Sequence, residues 1–222
     1  MNLARAIETV RAFRAGAPFG DVAVLKIDAF SPPKGIASKL ERVRGYAPEQ
    51  NLLALRGLPE GTLGREYARF LDANGIPPLV ISPGVKERFR DNPYALRYTT
   101  THDLHHVLTG FDAGLAGEAG VYAFTVAQGS APGGRALLHL ARVVWSILSP
   151  TQARRIWHNI RIGTELGRTA ALLIAQPIES YFEDSLSDVR RKFGFSDPQR
   201  AGVLASGTSI FYRLVFATKK VT

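Results

Sequence analysis

Three of the five histidines in this 222-residue chain lie within five consecutive positions, at His102, His105 and His106. On a helix each residue advances about 100°, so His106 lies about 40° and Asp103 about 100° from His102. One helix face would therefore present two imidazoles and a carboxylate within a single turn. Because an i, i+4 pair of histidines allows two nitrogens to reach one metal ion, the pattern predicts a divalent metal site.

A further acidic residue, Glu118, is separated from His106 by eleven residues. On one continuous helix Glu118 would lie about 18 Å along the axis from His106, too far to share an ion. Glycines occur between the two residues, at Gly110, Gly114 and Gly117. Since glycine adopts the conformations that a chain reversal needs, we predict that a second helix returns Glu118 to the histidines in its first turn.

Other catalytic sites fit the sequence poorly. The absence of cysteine excludes disulfides, thiolate nucleophiles, iron–sulfur clusters and cysteine-bound zinc, so nitrogen and oxygen atoms must hold any metal. The zinc-protease motif H-E-x-x-H, the nucleophile elbow G-x-S-x-G and a phosphate-binding glycine loop are absent. No histidine precedes His102, which disfavours an HD-type phosphohydrolase, and a ferritin-like pair of E-x-x-H helices is missing. His139 and His158 have no acidic neighbour at helical spacing and are interpreted as structural.

The elements that must position these residues are predicted to be helices. Asn92-Pro93 and Gly110 mark the beginning and the end of the helix that contains the histidines. Capping residues or apolar spacing predict further helices at Leu3 to Val10, Thr62 to Asn74, Ser82-Pro83, Ser149-Pro150 with Gln152 in a capping box, Gln176-Pro177, and around Val189 before Gly194. Only Val22 to Ile27 and Leu79 to Ser82 have strand character. The expected fold is all-α: residues 1–222 form a single-domain helical bundle with short irregular N-terminal segments.

The composition, 45% hydrophobic and 21% charged, is typical of a globular protein. Residues Ala136 to Leu148 form the most apolar stretch, but they include His139 and Arg142 and are fewer than the roughly 20 residues of a membrane span, so a buried helix is predicted. The amino-terminal residues lack the apolar centre of a secretory signal, and a first helix is expected there instead of a cleaved targeting peptide.

The positive charge points to anionic partners. With 28 basic and 19 acidic residues, the net charge is +9, which suits an anionic membrane surface, nucleic acid or acidic proteins. The basic clusters are Arg154-Arg155 with Arg161, Arg190-Arg191-Lys192, and Lys219-Lys220. Since none contains five like charges or belongs to a nucleic-acid-binding motif, we do not expect nucleic acid to be a partner.

The chain resembles the ubiquinone (coenzyme Q) biosynthesis protein Coq-four family. The hallmark of that family, H-D-x-x-H followed by eleven residues and E, is matched by His102, Asp103, His106 and Glu118. The flanking matches are Gly61 to Gly64, Tyr67 to Leu71, Asn74-Gly75, His106 to Gly110, and Leu186, Val189-Arg190 and Gly194 in the closing motif L-x-x-V-R-x-x-x-G. The resemblance covers roughly residues 50–195. His105 stands where the family usually has an aromatic residue.

The resemblance implies a mostly helical, often dimeric protein that is peripheral to the membrane where quinones are made. In a bacterium this would be the cytoplasmic side of the inner membrane, and in a eukaryote the matrix side of the mitochondrial inner membrane. The implied activity is a metal-dependent carbon–carbon lyase reaction, the decarboxylation (oxidative in one version) at C1 of a polyprenylated 4-hydroxybenzoate. The protein would also organise other quinone-biosynthesis proteins; the alternative is a non-catalytic prenyl-lipid-binding scaffold.

The resemblance also implies which residues form the site. The expected metal ligands and catalytic residues are His102, Asp103, His106 and Glu118, with zinc as the expected ion and iron(II) as the alternative. Asp103 could instead orient a ligand or move a proton from outside the ligand set. Small residues on the second helix would leave room for an isoprenoid tail or for close helix packing: Gly117, Ala119, Gly120 and Ala123.

Overall fold

The structure is a computed structural model that describes residues 2–77 and 79–206. Its fold is built from helices. The α-helices are α1 (Leu3–Arg14), α2 (Phe19–Asp28), α3 (Ile36–Lys39), α4 (Leu52–Arg56), α5 (Leu63–Asn74), α6 (Pro83–Arg88), α7 (Pro93–Thr109), α8 (Leu115–Ala127), α9 (Gly134–Leu148), α10 (Ala153–Thr169), α11 (Leu186–Lys192) and α12 (Pro198–Ala201). Short 3₁₀ helices occupy Glu41–Val43, Pro150–Gln152, Leu173–Ala175 and Ile178–Tyr181. No strand occurs in the described residues, which confirms the all-α prediction. The extent of one domain over residues 1–222 stays a prediction, and the basic pair Lys219-Lys220 lies outside the described residues.

Capping residues explain where several helices begin and end. The Thr62 side chain accepts a hydrogen bond from the Arg65 backbone at the beginning of α5, and the Ser82 side chain caps α6 in the same way. Helix α7 begins at Pro93, as predicted, although the Asn92 side chain donates to Asp28 instead of capping the helix. It ends at Gly110, whose φ of 78° is a conformation that favours glycine.

Some predictions about local structure were wrong. Val22 to Ile27, predicted to have strand character, lies within α2, where packing against α7 outweighs the β propensity of its branched residues. The Ser149 side chain caps no helix and Gln152 is buried in a 3₁₀ turn, so the predicted capping box does not form. Pro177 precedes a 3₁₀ turn rather than an α-helix.

The prediction of a buried helix in the most apolar stretch was correct about the helix and wrong about its burial. Ala136 to Leu148 does form most of α9, but Leu138 is its one buried residue, whereas Leu140, Ile147 and Leu148 are 59%, 70% and 61% exposed. Only one side of α9 packs against α8 and α10, and the overall hydrophobicity of the segment does not indicate which side is buried. In the described chain, no helix has both the length and the apolar character needed to cross a bilayer.

Helix α7 contributes to two hydrophobic clusters. Leu104 and Leu108 belong to a cluster with residues of α5, α8, α10 and α11. Tyr94 and Leu96 belong to a second cluster with residues of α2 and α3. As a result, every residue of this 17-residue helix is buried except His102 and Asp103. The core therefore fixes α7 and leaves one short stretch of it accessible.

A buried ion pair further fixes α7. The Arg97 side chain is fully buried and donates two hydrogen bonds to the Glu179 carboxylate, with the closest N–O distance 2.7 Å. It also donates to the carbonyl oxygens of Ile174, Gln176 and Tyr46. A buried guanidinium is stable only when its donors are paired in this way, so Arg97 ties the 174–179 segment to the histidine helix.

Helices α8 and α10 pack unusually closely. A Cβ atom added at Gly163 would lie 2.1 Å from the Gly120 carbonyl oxygen, and one added at Gly167 would lie 2.4 Å from that of Phe124. These contacts show that the two helices run in the same direction. Ala119 and Ala123 are fully buried as well. Of the two roles open for the small residues of α8, the structure supports close helix packing.

Candidate metal centre

The two helices bring three of the four predicted ligands together. His102 and His106 lie one turn apart on α7, and their ring centroids are 5.1 Å apart. The chain reverses after Gly110, and Glu118 lies in the first turn of α8, as predicted. The Nε2 atoms of His102 and His106 lie 3.5 Å and 3.4 Å from carboxylate oxygens of Glu118. One donor atom from each of these residues lies within 4.8 Å of the other two.

These distances fit a shared metal ion. A tetrahedral ion with bonds of about 2.1 Å to nitrogen and oxygen holds its donor atoms about 3.4 Å apart. The site is also open on one side, because the side chains of His102 and Glu118 are 34% and 29% exposed whereas that of His106 is 1% exposed. An ion held by three protein donors would thus keep a position that an external ligand can reach.

The orientation of His106 is set by the backbone. Its Nδ1 lies 3.2 Å from the carbonyl oxygen of Phe111 and 3.1 Å from that of Asp112. Since carbonyl oxygens accept hydrogen bonds, Nδ1 carries a proton, and when the ring is neutral the Nε2 lone pair faces Glu118. The Phe70 ring stacks on the imidazole with a centroid distance of 5.2 Å. His106 is therefore arranged as a metal-ligating histidine usually is.

The three groups shift the pKa of one another. Burial alone would raise the pKa of Glu118, but the two imidazoles beside it lower that pKa well below its ordinary value. Burial alone would lower the pKa of His106, but the charge of Glu118 and its hydrogen bond raise it. An ionised carboxylate faces two imidazole nitrogens, and this donor set suits a divalent cation.

Asp103 lies outside this group of donor atoms. It is partly exposed and neighbours His102 on α7, and its negative charge adds to that of Glu118 around His106. The structure therefore arranges three donors where the sequence suggested up to four. A direct ligand role for Asp103 stays a prediction.

The remaining histidines lie apart from the donor group. His105 is fully buried, its ring faces Phe124 at 5.8 Å, and neither of its ring nitrogens has a hydrogen-bond partner among the described residues. Burial lowers the pKa of His105 well below its ordinary value. His158 contacts the Gly202 carbonyl oxygen at 2.8 Å, and His139 is exposed on α9.

The sequence analysis did not foresee that Asp112 and Ser206 are paired, and this pair supports the reversal between His106 and Glu118. The Asp112 carboxylate accepts hydrogen bonds from Gly114 and from Ser206, 94 residues further along the chain. The short spacing between Asp112 and Gly114 is a local signal for a turn. No local pattern could have linked Ser206 to it, because that contact depends on the path of the whole chain.

An all-α protein that brings two histidines and a glutamate together on neighbouring helices belongs to the class of helical proteins with a group of nitrogen and oxygen donors that could hold a metal ion. Over residues 40–199 the chain matches the family described as coenzyme Q (ubiquinone) biosynthesis protein Coq4. The chain therefore belongs to this family.

Individual relatives agree with this assignment. The chain is 32% identical over 174 residues to the mitochondrial ubiquinone biosynthesis protein COQ4 homolog of Mus musculus, covering 76% of this chain and 63% of the relative. It is 31% identical over 181 residues to the Homo sapiens protein of the same name, covering 79% and 66%. The chain thus spans a little under two thirds of the length of these curated relatives. A crystal structure of a protein assigned to ubiquinone biosynthesis in Nostoc punctiforme is similar, with a TM-score of 0.59, 25% identity, and coverage of 88% of this chain and 97% of the other.

Proposed function

We propose that this chain is a metal-dependent enzyme that removes the C1 carboxylate of a polyprenylated 4-hydroxybenzoate during ubiquinone biosynthesis. The observation that carries the proposal is the placement of His102, His106 and Glu118, with nitrogen–oxygen distances of 3.4 Å and 3.5 Å. Membership of the Coq4 family supports the pathway. Zinc is the proposed ion, with iron(II) as the alternative, because two histidines and one carboxylate suit either.

The chemistry follows from the open side of the site. A bound divalent ion would supply Lewis acidity toward the carboxylate or phenolate of the substrate. When the bond between C1 and the carboxylate breaks, carbon dioxide leaves and its electron pair stays on the ring, so C1 must take up one proton. Asp103 lies beside His102 and outside the donor group, and we assign it the role of holding that proton. Replacement of the carboxylate by a hydroxyl group would also need an external oxidant such as dioxygen.

The test is turnover of a polyprenylated 4-hydroxybenzoate labelled with ¹³C at its carboxylate. The purified protein, loaded with zinc or with iron(II), is expected to release labelled carbon dioxide. His102→Ala should abolish this release because one of three ligands is lost, whereas His139→Ala should leave it unchanged. Elemental analysis of the protein as purified identifies the ion. Release that survives His102→Ala would contradict the catalytic role.

The second candidate function is a non-catalytic scaffold that binds prenyl lipids and other quinone-biosynthesis proteins. The exposed apolar side of α9 favours it, since such surfaces commonly bind lipids or proteins. This candidate predicts stable capture of a prenylated lipid without turnover, also by the His102→Ala variant. As part of this scaffold function, we propose that two copies of the chain associate into a homodimer.

An anionic membrane surface is the partner that the charge and the apolar surfaces favour together. Helix α1 directs Leu3, Ile7 and Val10 to solvent, 70%, 44% and 50% exposed, beside the exposed Arg11 and Arg14. Exposed apolar and basic residues on one helix are typical of helices that lie at a lipid interface. We propose the cytoplasmic side of a bacterial inner membrane or, since the relatives named above are mitochondrial proteins, the matrix side of the mitochondrial inner membrane. Nucleic acid is not a proposed partner.

A further inference from the structure

The loop between the two metal-binding helices is held by a distant part of the chain. In this loop, the Asp112 carbonyl oxygen lies 3.1 Å from His106 Nδ1. The same carbonyl occupies the space next to Gly117, where an added Cβ atom would lie 1.9 Å from it. The backbone of one residue thus contacts the His106 ring and the turn of α8 that contains Glu118. A small movement of this loop would change the position of His106 relative to Glu118.

Ser206 joins the two sides of this loop. Its hydroxyl donates to Asp112 Oδ1 at 2.6 Å and accepts from the Gly117 backbone N–H at 3.0 Å. Its own backbone N–H donates to Asp112 Oδ2 at 2.5 Å. Hydrogen bonds to a carboxylate are stronger than those between neutral groups. One serine therefore connects the residue that orients His106 with the residue that precedes Glu118.

The segment that contains Ser206 is itself anchored to α10. The buried Asn159 side chain donates to the Leu204 carbonyl oxygen at 2.8 Å and accepts from the Leu204 N–H at 3.0 Å. It also donates to the Ala116 carbonyl oxygen at 3.1 Å, in the first turn of α8. His158 contacts the Gly202 carbonyl oxygen. Residues 202–206, here called the carboxyl-terminal strap, are thus fixed to α10 and to the beginning of α8.

We infer that Ser206 and Asp112 are positioning residues of the metal centre. In this arrangement the carboxyl-terminal strap sets the separation between His106 and Glu118, so metal affinity depends on a serine that touches no metal ligand side chain. The inference rests on the proposed metal-dependent function, and it extends the site to a part of the chain 88 residues beyond Glu118. Hydrogen-bond partners of metal-ligating histidines typically contribute 10–100-fold to metal affinity.

The first measurement uses the metal-free protein. Long-range ¹H–¹⁵N spectra, at a pH where the ring is neutral, should show His106 of the wild type with its proton on Nδ1. In Ser206→Ala, we expect a mixture of the two ring tautomers because the Asp112 carbonyl is no longer held. The isosteric variant Asp112→Asn should shift the same signals, because its amide group cannot accept every hydrogen bond that the carboxylate accepts.

The second measurement is metal affinity. Competition with a chromophoric chelator should show that Ser206→Ala weakens Zn²⁺ binding 10–100-fold, and the absorption spectrum of the Co²⁺-loaded protein should change. The matched control is Ser146→Ala. Like Ser206, Ser146 has a hydroxyl that donates one hydrogen bond and accepts one from an N–H, but its acceptor is a backbone carbonyl oxygen and it lies at the α9–α10 contact. This variant should leave the tautomer, the spectrum and the affinity unchanged.

Defined outcomes overturn the inference. If Ser206→Ala kept the wild-type tautomer and the wild-type metal affinity, the inference would be wrong. Equal losses of metal affinity in Ser206→Ala and Ser146→Ala would show a general loss of stability instead. A wild-type protein that binds no Zn²⁺, Co²⁺ or Fe²⁺ would contradict the proposed function. In that case the tautomer measurement still decides whether the strap positions His106.

Discussion

Among single residues, His102 and Asp103 are the two positions of α7 that are not buried. The fully buried neighbours of these residues hold the helix, while the exposed stretch faces Glu118 and solvent. Because this stretch of α7 is already accessible to solvent, binding a cation there would require little rearrangement of the core. This separation of roles explains how a mostly buried helix can contain an accessible site.

His105 is a weak point of the core. Its buried ring nitrogens have no hydrogen-bond partner in the part of the chain that the structure describes, which costs about 1–3 kcal/mol for each unsatisfied polar group. We expect His105→Phe to raise the free energy of unfolding by about 1 kcal/mol or more, because phenylalanine fills a similar volume next to Phe124 without polar atoms. Chemical denaturation of the metal-free protein measures the change. His105→Ala is the control and should destabilise the protein by leaving a cavity; a loss of stability in both variants would contradict this account.

The pH dependence of stability should reflect the His106–Glu118 pair. The lowered pKa of Glu118 gives a contribution that is present above the ordinary value of 4.5 and is lost as the pH falls through the lowered pKa. The raised pKa of His106 gives a contribution that is complete below the ordinary value of 6.5 and is lost as the pH rises through the raised pKa. The pair therefore stabilises the metal-free protein most between these two values.

The measurement is denaturation in the presence of a chelator, at several pH values from 5 to 8. The free energy of unfolding of the wild type should fall as the pH rises above 6.5, because the stabilising contribution of the pair is lost. That of Glu118→Gln should depend less on pH. The control Glu165→Gln, in an exposed ion pair with Arg161, should keep the wild-type profile. Metal affinity should instead increase as the pH rises, because His106 must lose its proton to bind an ion. Parallel profiles for wild type and Glu118→Gln would contradict the assignment.

Among the helices, the contact between α8 and α10 constrains the site most. At Gly163, an added methyl group meets the backbone of Gly120, which cannot move as a side chain can. We expect Gly163→Ala to lower the free energy of unfolding by about 1–3 kcal/mol and to weaken metal binding, since α8 contains Glu118. The control is Gly84→Ala on α6, where an added Cβ atom would have no neighbour within 4 Å among the described residues, apart from its chain neighbours and the backbone of its own helix, and it should stabilise the protein by about 0.4–1 kcal/mol. Thermal unfolding measures both, and an unchanged Gly163→Ala variant would contradict the close packing.

The sequence correctly predicted several helices whose ends have local signals. Thr62, Gly75 and Gly110 mark helix ends through backbone chemistry that depends on neighbouring residues. The grouping of His102, His106 and Glu118 was predictable for the same reason, since the two histidines share a turn and glycines allow the reversal to Glu118. In contrast, Val22 to Ile27 has the composition of a strand, and its packing against α1 and α7 favours a helix instead.

The features that the sequence could not reveal depend on distant contacts. Ser206 reaches Asp112 across 94 residues, and Arg97 reaches Glu179 across 82, so neither pair has a spacing that a local pattern records. The exposure of α9 is another such feature. Its residues are apolar on several sides, and which side faces solvent depends on where α8 and α10 lie.

For the protein as a whole, the net charge of +9 and the apolar surfaces of α1 and α9 should act together at a membrane. We expect the protein to sediment with vesicles that contain anionic lipids, and less with neutral vesicles or at high salt. Leu3→Asp and Ile147→Asp should each weaken binding about tenfold or more, because a leucine-sized side chain gains about 1.5–3 kcal/mol on burial.

The control for this experiment is Leu53→Asp on α4. Leu53 is 76% exposed and lies on neither α1 nor α9, so its replacement should leave vesicle binding unchanged. Equal effects of the three variants, or binding that does not depend on lipid charge, would contradict the proposed membrane surface. Because α1 and α9 are tested separately, the experiment also shows which helix contributes more.

The position of α7 between both hydrophobic clusters has a consequence for local opening of the fold. Peripheral helices such as α1, α6 and α9 can detach while α7 stays covered on its other sides, so the amide protons of α7 should exchange with deuterium only when the entire chain unfolds. The two imidazoles would then keep their spacing through every partial opening, and loss of an ion from the site would not require the loss of the helix that binds it.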